Sequence, residues 1–320
     1  MSAITSANSS GFAAKTTSAA KTTSQQIQAG PRGPKPKRRL TSRNAILYGT
    51  LLLVAFYYAL PLYVMIVTSL KGMPEIRLGN IFSPPVEVTF TPWVKAWSQA
   101  CTGINCDGLS RGFSNSVKIL IPSVLFSIAV ASVNGYALSN WKFKGSEVFF
   151  NILIIGAFIP YQVMLYPIAI LLGKMSLHGS LWGLVLVHTV FGMPILTLLF
   201  RNYFASVPDE LFKAARVDGA RFWGIYFRVM LPMSLPIFVV AIIIQVTGIW
   251  NDFLFGVVYT KPAIYPMTVQ LNNIVNSVQG VKEYNVNMAA TLITGLVPLL
   301  IYFASGKLFV RGIAAGAVKG

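Results

Sequence analysis

Acidic side chains are scarce in this sequence, with nine Asp and Glu against 26 Lys and Arg, and there are only two His and two Cys. A membrane-embedded enzyme acting on lipid or polyprenyl substrates needs paired acids or metal ligands, and no HExxH or DxxD arrangement occurs. No metal site is expected. No G-x-x-x-x-G-K-[ST] run exists either, since Gly173-Lys174 and Gly306-Lys307 are followed by Met and Leu. The chain thus lacks a phosphate-cradling loop and is expected to carry no cofactor. A proton-driven secondary transporter would show an internal repeat and several buried ionisable groups, and only Asp252 stands close to an apolar run. Charge is thin overall: 11% of residues are charged and 54% are hydrophobic, where a soluble domain carries about 25% charged residues. A soluble core cannot hide that much apolar side chain, so lipid is the expected solvent.

Six apolar runs approach the roughly 20 residues needed to cross a bilayer. They are Ala45 to Leu70, about Ile119 to Leu138, about Val148 to Leu172, Leu181 to Phe200, about Leu235 to Gly256 and about Met288 to Phe303. Each is apolar nearly all round, which separates a spanning helix from an amphipathic surface helix. The fold class expected is all-α, a polytopic membrane protein of about six transmembrane helices. Pro61, Pro122, Pro160, Pro167, Pro194, Pro236 and Pro298 lie in or at the edges of these runs, where neighbouring helices can satisfy the freed carbonyls.

Residues 1–44 are rich in Ser, Thr, Ala and Lys, contain no acid and have no apolar h-region, which excludes a cleavable secretory signal. The composition is similar to an organellar transit peptide, but the basic cluster Lys35, Lys37, Arg38 and Arg39 beside the first run fits a disordered cytoplasmic tail. A cytoplasmic amino terminus places 18 of the 26 Lys and Arg inside, as the positive-inside rule requires. The net charge of +17 is distributed between apolar runs, so it marks topology and not a nucleic-acid surface. Both termini are then cytoplasmic, and residues 71–113 lie outside with Cys101 and Cys106. In an oxidising compartment that pair can close a small disulfide loop, the alternative being two free thiols. The expected domains are the tail 1–44, a permease domain 45–310 and a cytoplasmic carboxyl-terminal tail 311–320.

The longest polar stretch between runs on the inner side is Arg201 to Pro236. Ser206, Pro208, Asp209 and Glu210 read as a capped helix start. Asp218-Gly219 reads as its stop, because Gly accepts the left-handed conformation freely. A second short helix is expected over Ala220 to Met230, running into Leu231-Pro232. Such a helix across the cytoplasmic face fits a partner's groove, or serves as an interfacial linker with no partner.

The strings KAARVDG and RVMLP in this loop resemble the EAA loop of ABC importer permeases, matching at Ala214, Ala215, Gly219, Leu231 and Pro232 and departing at Lys213, where the family has Glu. The stretches IPYQVMLYP (159–167), GIWNDFLFG (248–256) and the terminal RGIAAGAVKG resemble the maltose-type carbohydrate-uptake branch. The resemblance implies a non-enzymatic permease subunit of a binding-protein-dependent importer in the bacterial inner membrane, forming half of a sugar pore. A non-sugar solute is the alternative. It implies coupling through Glu210, Lys213, Ala214, Ala215, Asp218, Gly219, Leu231 and Pro232 to a separate ATPase dimer that holds ATP and Mg. It also implies a second permease and a periplasmic sugar-binding protein as partners, with no nucleic acid. If a sugar passes, polar groups at membrane depth should line its path. Gln162, Gln245, Trp250, Asn251 and Asp252 are the candidates, and His188 is expected to be a satisfied interior histidine.

Overall fold

The computed structural model describes residues 42–101, 105–141, 143–277 and 281–317, with side chains described up to 306. The expected basic tail lies outside these residues up to position 41. By its contacts the chain forms two units, Met1–Ala55 and Phe56–Gly320, with the boundary inside the first helix. Among the described residues all regular structure is helical.

Helix α1 (Ser42–Ser69) is followed by the short α2 (Met73–Leu78) and α3 (Thr91–Ser98). Residues 42–55, the described part of the first unit, are exposed throughout. In the second unit, α4 (Ser110–Asn140), α5 (Ser146–Ala157), α6 (Tyr161–Lys174) and α7 (Leu181–Ala205) come next. Then follow α8 (Asp209–Val217), α9 (Phe222–Ile225), a π-helical turn (Tyr226–Met230), α10 (Leu231–Met233) and α11 (Leu235–Trp250). The chain continues through α12 (Leu254–Tyr259), α13 (Met267–Val275) and α14 (Tyr284–Ala317). Helix α14 therefore carries on into the stretch expected as a tail.

Four helices are long and apolar enough to cross a membrane, or six if two bent pairs each count as one span. One bent pair divides a run expected as a single span. The run 148–172 is α5 and α6, set 102° apart. Pro160 caps α6, and the residue before a proline is pushed out of the helical region, which ends α5. The second pair, residues 222–233 and α11, bends by 79° at Ser234. The run 235–256 also stops at Trp250, and α12 starts three residues after Asn251.

Between membrane helices, lipid offers no hydrophobic incentive to associate, so close approach must come from small side chains. Helix α4 supplies them on one stripe: Ser123, Ser127, Ala131 and Gly135 are spaced four apart and buried. Helix α7 packs there so closely that a β-carbon at Gly135 would lie 2.7 Å from the Arg201 amide nitrogen. At the Ser110 end of α4, the α12–α13 segment is held by side chains. Gly112 N–H donates to Gln270 Oε1 (2.6 Å), Asn115 Nδ2 donates to the carbonyls of Ala263 and Tyr265, and Met267 N–H donates to Ser116 Oγ. On the same segment side, buried Lys71 donates to Asn80 O and Ser83 Oγ, and Asn285 Nδ2 ties α14 to the Lys71 carbonyl. Cys101 and Cys106 form a disulfide.

Candidate functional site: a polar cavity and a seated surface helix

The first candidate site is a cavity of about 580 Å³ between α6, α7 and the α11–α12 junction. Gln245 reaches it from the middle of α11. Its Nε2 donates to Ser127 Oγ of α4 (3.0 Å) and to the His188 carbonyl of α7 (3.4 Å). The amide fits because α7 has glycine opposite: a β-carbon at Gly192 would stand 2.0 Å from Gln245 Nε2. Asp252 serves mainly as a helix cap, its carboxylate accepting from Phe255 N (3.2 Å) and Gly256 N (2.9 Å) in the first turn of α12. The Nε2 of His188, itself buried, lies 3.7 Å from Asp252 Oδ2. Phe255 joins these groups to an aromatic wall, with ring centroids 5.5 Å from Tyr161, 5.0 Å from Phe191 and 5.7 Å from His188.

Three of the five path residues expected from sequence line this cavity: Gln245, Asn251 and Asp252. Asn251 is exposed and its amide has no hydrogen-bond partner among the described residues, so it is the polar group most available to a solute. Trp250 does not line it. That ring is 1% exposed, donates from Nε1 to the Thr294 carbonyl of α14 (2.9 Å) and packs away from the cavity. Gln162 is exposed and outside the cavity, because the helix breaks before Pro160 and α6 carries on through Pro167. Tyr161, His188, Phe191 and Phe255 were missed as lining. Only their joint approach from three helices identifies them, and no local spacing signals it.

The second candidate is α8, in the loop between α7 and α11. It is two-faced. Phe212 and Ala215 are buried, whereas Glu210, Leu211, Lys213, Ala214, Arg216 and Val217 are exposed, Val217 at 87%. Ala215 thus packs into the chain's own core with Ile225 and Tyr226. The helix stops as the sequence indicates: Asp218 caps it and Gly219 follows at φ +79°. Its start differs from the expected capping box. Ser206 caps the end of α7 and donates back to the Tyr203 carbonyl, and Pro208 is the residue before α8 rather than in its first turn. The second short helix forms as one continuous stretch, residues 222–233, with a π-helical turn inside it between α9 and α10; Leu231 and Pro232 open α10.

Residues 123–315 match the family described as binding-protein-dependent transport system inner membrane component. A probable ABC transporter permease of Pyrococcus horikoshii is 38% identical over 88% of this chain and the whole of its own length. The alpha-glucoside transport system permease AglG of Rhizobium meliloti is 34% identical over 68% of this chain and 58% of its own. In fold, the chain is similar to one from a bacterial ABC transporter that imports the acidic polysaccharide alginate. The TM-score is 0.69 at 19% identity, over 84% of this chain and 98% of that one.

Proposed function

The chain belongs to the family of binding-protein-dependent transport system inner membrane components, and from that premise we propose that it forms half of a carbohydrate pore. It is a transport subunit and not an enzyme. One observation carries the reading: α8 is held by its inner face while a mixed charged and apolar outer face stands free. An ATPase that grips this outer face can move a helix already attached to the membrane part. Glu210, Lys213, Ala214, Asp218 and Gly219 are the contacts proposed for that ATPase, with ATP and Mg bound there. Ala215, Leu231 and Pro232 support the loop from behind.

A second, related permease completes the pore, and a periplasmic binding protein loaded with sugar delivers to the opposite face. The membrane orientation follows from the charge distribution, with α8 and both termini in the cytoplasm. The carbohydrate assignment rests on the alpha-glucoside system of AglG and on the cavity. Aromatic faces of Tyr161 and Phe255 beside the free Asn251 amide suit a hydroxyl-rich ring, which stacks on one side and hydrogen-bonds at its edge.

Affinity purification of the tagged chain in mild detergent tests this. Copurification of an ATPase and a second permease is the expected result. Recovery of the chain alone, with no effect of α8 substitutions on any partner, would sink it.

A further inference from the structure

We propose that movement of α8 is delivered to α4 through Tyr136 and Trp141, as positioning residues, and not chiefly to α7 and α11, to which its loop is covalently joined. The inference rests on the reading of α8 as the ATPase contact. The covalent routes are soft. On one side lies the short turn around Ser206 to Pro208. On the other lie Gly219 at φ +79° and the 79° bend at Ser234, at either end of the helical stretch 222–233. A push along either route is absorbed by segments that change direction.

The side-chain route is packed and hydrogen-bonded. Tyr136 of α4 is fully buried, its ring centroid 6.3 Å from Phe212 of α8 and 4.8 Å from Phe222 of α9. Its hydroxyl donates to the Phe222 carbonyl (3.2 Å) and accepts from Trp141 Nε1 (2.9 Å). Trp141 lies 6.0 Å from Phe212, and the Arg216 guanidinium of α8 sits 4.6 Å from the Trp141 ring centroid. Phe204 of α7 shares the aromatic cluster, 6.1 Å from Tyr136, and Tyr203 of α7 donates to the Met233 carbonyl of α10. No described hydrogen bond joins α8 to α4 or α7, and the rings packed against Phe212 and Arg216 of α8 are those of Tyr136 and Trp141. The last turns of α4 therefore grip the loop on both sides of Gly219.

What α4 receives, it can pass on. It is one helix of 31 residues, roughly 45 Å at ~1.5 Å per residue. Its only proline, Pro122, lies beyond Ser127 as seen from the loop, so the stretch from Tyr136 to Ser127 is uninterrupted. Ser127 meets Gln245 in the cavity wall, and Gly112, Asn115 and Ser116 hold the segment at the far end. One rod thus touches the loop, the cavity-lining Gln245 and the α12–α13 segment.

The test uses the assembled transporter with a reporter thiol at the cavity, Asn251→Cys, in a chain whose two native cysteines are paired. In that complex, Mg-ATP with vanadate should change the maleimide labelling rate of N251C by at least about fivefold, the lower end of allosteric couplings. Adding Tyr136→Phe or Trp141→Phe, which keep a ring but lose the hydrogen bond, should cut that change to less than about twofold, with ATP hydrolysis and ATPase copurification retained. Exposed Arg216→Gln, which spares the buried cluster, should act in the same direction. A full labelling response in all three variants overturns the proposal. So does loss of the ATPase from them, which would make the cluster a determinant of docking shape alone. If the reference complex itself holds no ATPase, the functional reading fails, and this inference with it.

Discussion

At Gly192 the α7 backbone leaves room for a single amide, and the consequence is directly measurable. A Gly192→Ala methyl would meet Gln245 Nε2 and push it off Ser127 and the His188 carbonyl. Stranding that buried amide should cost about 1–3 kcal/mol, seen as a lower unfolding midpoint in detergent. Gly248→Ala, where a β-carbon meets nothing within 4 Å, should leave the midpoint in place. Gly219→Leu combines left-handed strain of about 1–2 kcal/mol with new bulk at the turn after α8. It should abolish solute uptake by vesicles while membrane insertion is normal; undiminished uptake would exclude Gly219 from coupling. Gln245, Asn251 and Asp252 were legible in the sequence because polar groups stand out in an apolar run. Trp250 was grouped with them by adjacency, yet chain neighbours do not share a face, and Gln162 was chosen for its place between Pro160 and Pro167, where α6 in fact runs on unbroken. Trp250 turns toward Thr294 and Asn251 toward the cavity. Gly192 gave no signal, since its meaning depends on a side chain 53 positions away.

Among the described elements, α4 and α7 make the most extensive contact. Ala131→Leu would force a larger side chain into the small-residue stripe of α4 at a fully buried position and should cost about 1–3 kcal/mol, again lowering the unfolding midpoint. Val130→Leu, one residue around on an exposed face, should change it little. The presence of six apolar runs was legible from length alone, because the bilayer demands that length of every span. Their bends were not. Pro61, Pro122, Pro167, Pro194 and Pro298 all sit inside intact helices, whereas Pro160 sits at a 102° turn. Apolarity reports on solvent, not on direction, and a proline's effect depends on whether neighbours satisfy the carbonyl it frees. Ser206 misled in a similar way: a hydroxyl near a helix boundary can serve the helix behind it as readily as the one ahead.

For the molecule as a whole, the disulfide supplies a test of orientation. In intact spheroplasts a membrane-impermeant maleimide should leave the chain unlabelled until a reductant is added, and should then label Cys101 and Cys106 from outside. Labelling that needs permeabilised membranes would invert the proposed topology. The class of protein was legible at this scale, through a charge distribution and one loop, because both are properties of whole segments. The cavity was not, since it is assembled from α6, α7 and the α11–α12 junction, remote along the chain. The two faces of α8 carry one further consequence. Phe212 and Ala215 determine where the helix rests, while Glu210, Leu211, Lys213, Ala214, Arg216 and Val217 form the outer face proposed to meet the ATPase. Recognition and anchorage are written on separate letters of the same nine-residue word. If the ATPase grips this face as proposed, a permease of this kind can change allegiance between energising subunits by exchanging outward side chains alone, leaving its own architecture untouched.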